Sequence, residues 1–156
     1  MKFREALNAT LGIEQGYIND KFDPGGETKY GICKRSYPHL DIKNLTLDEV
    51  CKIYEKDFWK LAHCEEVAEP LKLCMFDTAV HSGIKPAIII LQRALGLEDD
   101  GIWGPKTAKA AAGKVSAETV AMYWTKRALY MADMKNFDRN KNGWYKRLFM
   151  LAAINH

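Results

Sequence analysis

The chain has 156 residues, 47% hydrophobic and 28% charged, which suits one compact domain with a buried core. That balance excludes disordered, collagen-like and coiled-coil readings, and no apolar run approaches the ~20 residues that cross a bilayer. With 23 Lys and Arg against 20 Asp and Glu, the net charge of +3 is too small to argue for nucleic acid by itself.

In chain order the apolar pattern is mostly helical. Phe3, Leu7 and Leu11 recur every four residues, which predicts a first helix reaching Glu14 or Gln15, with Gly16 as its stop. Residues 17–32 lose that period and collect Asn19, Asp20, Asp23, Pro24, Gly25, Gly26 and Gly31, a turn-rich stretch or short irregular hairpin. Thr46 and Glu49 form a capping box for a second helix, with Leu47, Val50, Tyr54, Phe58 and Leu61 as its buried face. Pro70 opens a third helix, carrying Leu71, Cys74, Met75, Thr78 and Ala79 toward Gly83. Pro86 opens a fourth that ends at Gly96. Pro105 and Gly113 bracket a short fifth. Ser116 caps a sixth through Val120, Tyr123, Trp124, Arg127 and Met131. A last helix follows Gly143 with Trp144, Leu148 and Leu151. The stretch from Asp138 to Gly143 imitates half of an EF-hand loop. Phe149 occupies the twelfth position, where calcium requires a carboxylate, so the stretch reads as a turn pivoting on Gly143.

Cys33, Cys51, Cys64 and Cys74 form no C-x-x-C pair and His39, His63 and His81 are scattered, so neither a metal site nor a redox motif is expected. The cysteines read as small buried hydrophobes. Charge is unevenly spread. Residues 1–113 hold 15 basic and 17 acidic residues, whereas residues 114–156 hold 8 and 3. A basic C-terminal third suits an anionic polymer such as nucleic acid, an anionic lipid or cell-wall material, or is simply a solvated helix face. No Arg-rich, aromatic-interleaved stripe supports nucleic acid.

The chemistry concentrates between Glu14 and Ile32. Glu14 falls at the expected C-terminal end of the first helix, where the helix dipole disfavours the ionised carboxylate and favours a general acid. Asp20 or Asp23 supplies a second carboxyl, and Thr28 a hydroxyl for a water or a sugar. Two carboxyls across a cleft are the minimum for cleaving a glycosidic bond, and Gly25-Gly26 lets backbone approach a bulky polymer. Read without that chemistry, Glu14 merely ends a helix and the aspartates shape turns.

The segment resembles the signature of glycoside hydrolase family 108, the phage-type lysozymes, which reads approximately Glu-Gly-Gly-Tyr-x-Asn-Asp-Pro-x-Asp-x-Gly-Gly-x-Thr-x-x-Gly-Ile. Glu14, Gly16, Tyr17, Asn19, Asp20, Asp23, Gly25, Gly26, Thr28, Gly31 and Ile32 match it. Asp77 to Gly83, Leu91 to Gly96, Asp100 to Thr107 and Asn142 to Arg147 resemble the peptidoglycan-binding region that follows this catalytic part. The resemblance implies a mainly α, lysozyme-like helical domain over residues 1–156, with a small loop or hairpin near 17–32. Residues 1–69 would carry the catalytic signature and residues 70–156 the binding-like helical part.

The resemblance also implies a muramidase that hydrolyses the β-1,4 bond between N-acetylmuramic acid and N-acetylglucosamine. Glu14 is then the acid, with Asp23 and Thr28 stabilising charge or placing water. Tyr17, Asn19, Asp20, Gly26, Tyr30, His81 and Trp103 become the candidate substrate contacts. Gln15, Lys21 and His81 depart from the family pattern, and they keep a non-catalytic peptidoglycan-binding or scaffold protein as the alternative. No cofactor is implied, and the expected partner of a monomer is bacterial peptidoglycan, with no nucleic acid and no stable membrane insertion. Because Met1-Lys2 leads into Phe3-Arg4-Glu5 with no apolar stretch, the expected site of synthesis is the cytoplasm. A phage or prophage lysin of this kind would reach the wall after a holin-type lesion.

Overall fold

In the computed structural model, residues 1–12 and 26–155 are described in full and residues 17–18 as backbone. The expected helical periods become seven α-helices among these residues: α1 (Phe3–Leu11), α2 (Leu47–Tyr54), α3 (Glu69–Ser82), α4 (Ile84–Ala94), α5 (Pro105–Ala112), α6 (Ala117–Ala132) and α7 (Phe137–Ile154). Three two-residue strands, β1 (Tyr17–Ile18), β2 (Thr28–Lys29) and β3 (Ile32–Cys33), form an antiparallel sheet in the order β1-β2-β3. The fold is therefore mainly α with one small sheet, as expected.

α3 explains the architecture. Leu71, Leu73, Cys74, Met75, Phe76, Asp77, Thr78 and Ala79 are all buried, so the helix is covered on every side and has no amphipathic stripe. α1, α4 and α6 pack around it, and α7 packs on α6. Phe3, Trp59 and Phe76 meet edge-to-face with ring centroids 5.5–5.8 Å apart, joining α1 and the segment after α2 to this core.

The caps form where the sequence puts them. The Thr46 hydroxyl accepts from the Glu49 N–H, the Glu49 carboxylate accepts from the Thr46 N–H, and Ser116 accepts from the Thr119 N–H. Gly83, with φ of 101°, separates α3 from α4.

Three expectations need correction. The regular part of α1 ends at Leu11, with Gly12 as its C-cap, rather than at Glu14 or Gln15; residues 13–16 lie outside the described ones. Glycine weakens helix continuation at that point.

The buried face expected for the second helix slips by one residue at its end. Leu61 is 55% exposed, while Trp59 and Ala62 are buried. The cause is a π-helical segment over Glu55–Lys60, which adds residues per turn and rotates the face out of the 3.6-residue period. Leu47, at the other end, is 59% exposed because it sits in the first turn.

α7 begins at Phe137, not after Gly143, and the turn before it spans residues 133–136. Phe137 packs on Trp144 and Tyr145, with ring centroids at 6.4 and 5.5 Å. Those contacts hold the first two turns in register despite the glycine. The four cysteines are free thiols, with Cys64 and Cys74 buried and Cys33 and Cys51 half-buried.

Candidate active site

The small sheet builds the described part of the site. β2 and β3 are joined by Tyr30-Gly31 with Thr28 opposite Cys33 and Lys29 opposite Ile32. Both turn residues have positive φ, 50° at Tyr30 and 76° at Gly31, the backbone twist that a two-residue hairpin needs. Glycine adopts it without strain, but tyrosine does so at a cost of about 1–2 kcal/mol. The strain is held from outside: the buried Tyr54 hydroxyl donates to the Tyr30 carbonyl at 2.8 Å. Lys29 braces the other strand by donating to the carbonyls of Lys43 and Leu45 at 3.0 and 2.9 Å.

Thr28 is half-buried, and its hydroxyl donates to the Gly26 carbonyl at 3.3 Å. Gly26 sits at φ of 69°, another position suited to glycine. Ile18 and Tyr17 pair with Thr28 and Lys29 from β1. The structure thus brings Gly26, Thr28 and Tyr30 together on one hairpin. Glu14, Asn19, Asp20 and Asp23 lie outside the described residues, as do Gln15 and Lys21.

His81 occupies the last turn of α3, half-buried, edge-on to Trp144 of α7 at 5.2 Å, with Nδ1 2.9 Å from the Ser82 hydroxyl. Burial first, then the positive charges of Arg127 and Arg147, push its pKa down to about 4 against the pull of Asp77. The ring is neutral at physiological pH and offers one donor and one acceptor.

Beneath it lies a feature that the sequence reading missed. The Asp77 carboxylate is wholly buried, accepting from Arg127 Nη2 at 2.6 Å and from Arg147 Nη2 at 2.6 Å and Nε at 3.2 Å. Burial alone would raise the Asp77 pKa. The two guanidiniums outweigh it and hold the carboxyl below its usual range. The signal was present in the sequence: Asp77 interrupts an apolar helix, and Arg127 and Arg147 stand on the buried faces of α6 and α7.

Trp103 is placed elsewhere. Its ring stacks on His63 at 4.4 Å and 4° between planes, and its N–H donates to Glu66 Oε2 at 3.1 Å. His63 Nδ1 lies 2.6 Å from the other oxygen of the same carboxylate. The loop that carries Trp103 is tied to α4 by the buried Gln92. Its amide donates to Asp100, Ile102 O and Thr107, and its oxygen accepts from Gly101 N–H. The run from Asp100 to Thr107 therefore has a structural task that accounts for its spacing.

An apolar groove of about 510 Å³ lies between Pro70, Val120, Trp124, Ala152 and Asn155, and no candidate site residue lines it. Among the described residues no cluster of His, Cys, Asp and Glu could hold a metal.

Residues 7–83 match the family model described as Glycosyl hydrolase 108. The matched stretch begins in α1, takes in the sheet, α2 and the π-helical segment, and ends at the glycine that stops α3. Arg127, Arg147 and Trp144, which surround Asp77 and His81, come from beyond it. The structure of SagA from Brucella abortus is similar over 98% of this chain and 92% of that one, with a TM-score of 0.85 and 24% identity. That likeness shows a shared, mainly helical fold. Comparison with curated proteins gives no match.

Proposed function

We propose that the protein is a family 108 glycoside hydrolase that cleaves bacterial peptidoglycan at the β-1,4 bond between N-acetylmuramic acid and N-acetylglucosamine. The observation that carries this reading is the family match over residues 7–83, which contains the whole segment from Glu14 to Ile32. The shared fold is consistent with it.

In this reading Glu14 protonates the glycosidic oxygen. An oxocarbenium-like charge develops on the departing sugar ring, and Asp23 stabilises it or orients the water that attacks. The Thr28 hydroxyl donates to the Gly26 carbonyl, which leaves its oxygen as an acceptor for the water or a sugar hydroxyl. The strained Tyr30 turn fixes that hydroxyl on a rigid hairpin, and neutral His81 hydrogen-bonds sugar without attracting a counter-ion.

Glu14→Gln is expected to reduce reducing-end release from purified peptidoglycan by at least about a thousandfold, with the thermal midpoint unchanged. Mass spectrometry of the released muropeptides identifies the bond cut. Normal wall lysis by this variant would remove the assignment. Retention on insoluble peptidoglycan with no hydrolysis by the unaltered protein would favour a binding or scaffold role.

A further inference from the structure

The outer face of α7 carries none of the candidate catalytic or substrate-contact residues, yet it is organised. Arg139, Asn142, Gly143, Lys146, Phe149, Met150, Ala153 and Ile154 recur at three- and four-residue intervals and are all exposed. The opposite face is spent on the core through Arg147, Leu148 and Leu151. Among the described residues, eight large hydrophobic side chains are exposed, and three of them, Phe149 at 66%, Met150 at 48% and Ile154 at 54%, sit in the last two turns of this one stripe. Single exposed apolar residues are ordinary; three on one helix face are a patch. The N-terminal half of the stripe carries Arg139 and Lys146 and no acid. Asp138 lies beside the stripe and pairs with Lys141.

We propose that this face of α7 docks on an anionic lipid bilayer. Phe149, Met150 and Ile154 enter the boundary between headgroups and acyl chains, and Arg139 and Lys146 meet lipid phosphates. Charge decides between occupants. A second copy docked through the same face would desolvate two Arg139 and two Lys146 side chains with no acid on the stripe to receive them. A polar glycan would leave the apolar half uncovered. The remaining charge agrees. Of the eight basic residues in 114–156, Arg127 and Arg147 are consumed by Asp77, and the other six outnumber the three acids of the segment. The contact is a surface one, since no helix among the described residues is long and apolar enough to cross a membrane. It stands without the hydrolase reading.

The test is sedimentation of the full chain with vesicles of phosphatidylglycerol and phosphatidylethanolamine, beside vesicles of phosphatidylcholine, at low and high salt. The unaltered chain should sediment with the anionic vesicles and lose most of that binding at high salt. Phe149→Ser with Ile154→Ser should weaken it about tenfold or more, and Arg139→Gln with Lys146→Gln should abolish the preference for anionic over neutral lipid. Both variants alter exposed side chains, so unchanged thermal midpoints certify the fold. Failure of the unaltered chain to sediment with anionic vesicles overturns the proposal, as does equal sedimentation of the Phe149/Ile154 variant. Self-association in the ultracentrifuge that Phe149→Ser and Ile154→Ser abolish, without vesicle binding, would assign the face to a second copy instead.

Discussion

His81 shows how one side chain reports its surroundings. Its pKa of about 4 lies below the usual 6.5, so between those values the unfolded chain binds a proton that the folded chain refuses. The stability contributed by the neutral ring is complete above pH 6.5, shrinks as pH falls toward 4, and changes no further below. Substituting His81→Asn is expected to remove on the order of 3 kcal/mol of stability loss between pH 6.5 and 4, read as the difference between the two urea-unfolding profiles. A His81 Cε1 resonance, assigned by its disappearance in His81→Asn, that titrates near 6.5 in the folded protein would contradict it. Asp77 does not confuse the window: its carboxyl is held low, so its contribution is lost only in stronger acid. Tyr30 is the other telling residue. A non-glycine side chain at φ of 50°, pinned by Tyr54, marks the hairpin as a place where strain is tolerated beside candidate chemistry.

At the scale of elements, periodicity and caps were legible, and interruptions of periodicity were not. The capping box at Thr46, the N-cap at Ser116 and the stops at Gly83 and Gly96 follow from local chemistry, and they stand where the sequence put them. The π-helical segment was invisible because the sequence over Glu55–Lys60 carries no local mark of widening; burial of Trp59 and the exposure of Leu61 reveal it only in three dimensions. Gly143 misled for the opposite reason. A glycine in a polar run reads as a turn, yet packing by Phe137 and Trp144 overrides propensity and carries the helix through it. This makes a specific test. A Cβ added at Gly143 meets nothing within 4 Å and the residue is exposed inside α7. Gly143→Ala should therefore stabilise the protein by about 0.5–1 kcal/mol, a rise in thermal midpoint of about 1–4 °C. A loss of stability would mean that residues 138–143 form a turn in solution after all. Of the candidate site, Gly26 and Thr28 stood out in the sequence through the glycine and hydroxyl pattern and Tyr30 only through the family resemblance; the structure places all three on one hairpin. The clamp on Trp103 was not, since His63 and Glu66 lie 40 and 37 residues away in sequence.

At the scale of the molecule, the buried charge of Asp77 ties together three helices that the sequence separates by 50 and 70 residues. Only the carboxylate lies within the stretch matched to the glycosidase family; both guanidiniums come from α6 and α7. The C-terminal helices are thereby part of the seat of His81 rather than an appendage. Such a network is costly to bury and stabilises only while intact. Arg127 already leaves Nε and Nη1 without a hydrogen-bond partner, so it depends on Asp77 for compensation. Asp77→Asn keeps the shape and removes the charge, leaving two guanidiniums beside a neutral amide. The expected cost is about 3–5 kcal/mol, read by urea unfolding at neutral pH, and a drop of roughly 10 °C in the thermal midpoint. Repulsion between the two arginines should also loosen the α3, α6 and α7 contacts around His81, so that amide exchange quickens there before it does in α1. A cost below about 1 kcal/mol with unchanged exchange would mean that apolar packing around α3 fixes these helices without help from the charges.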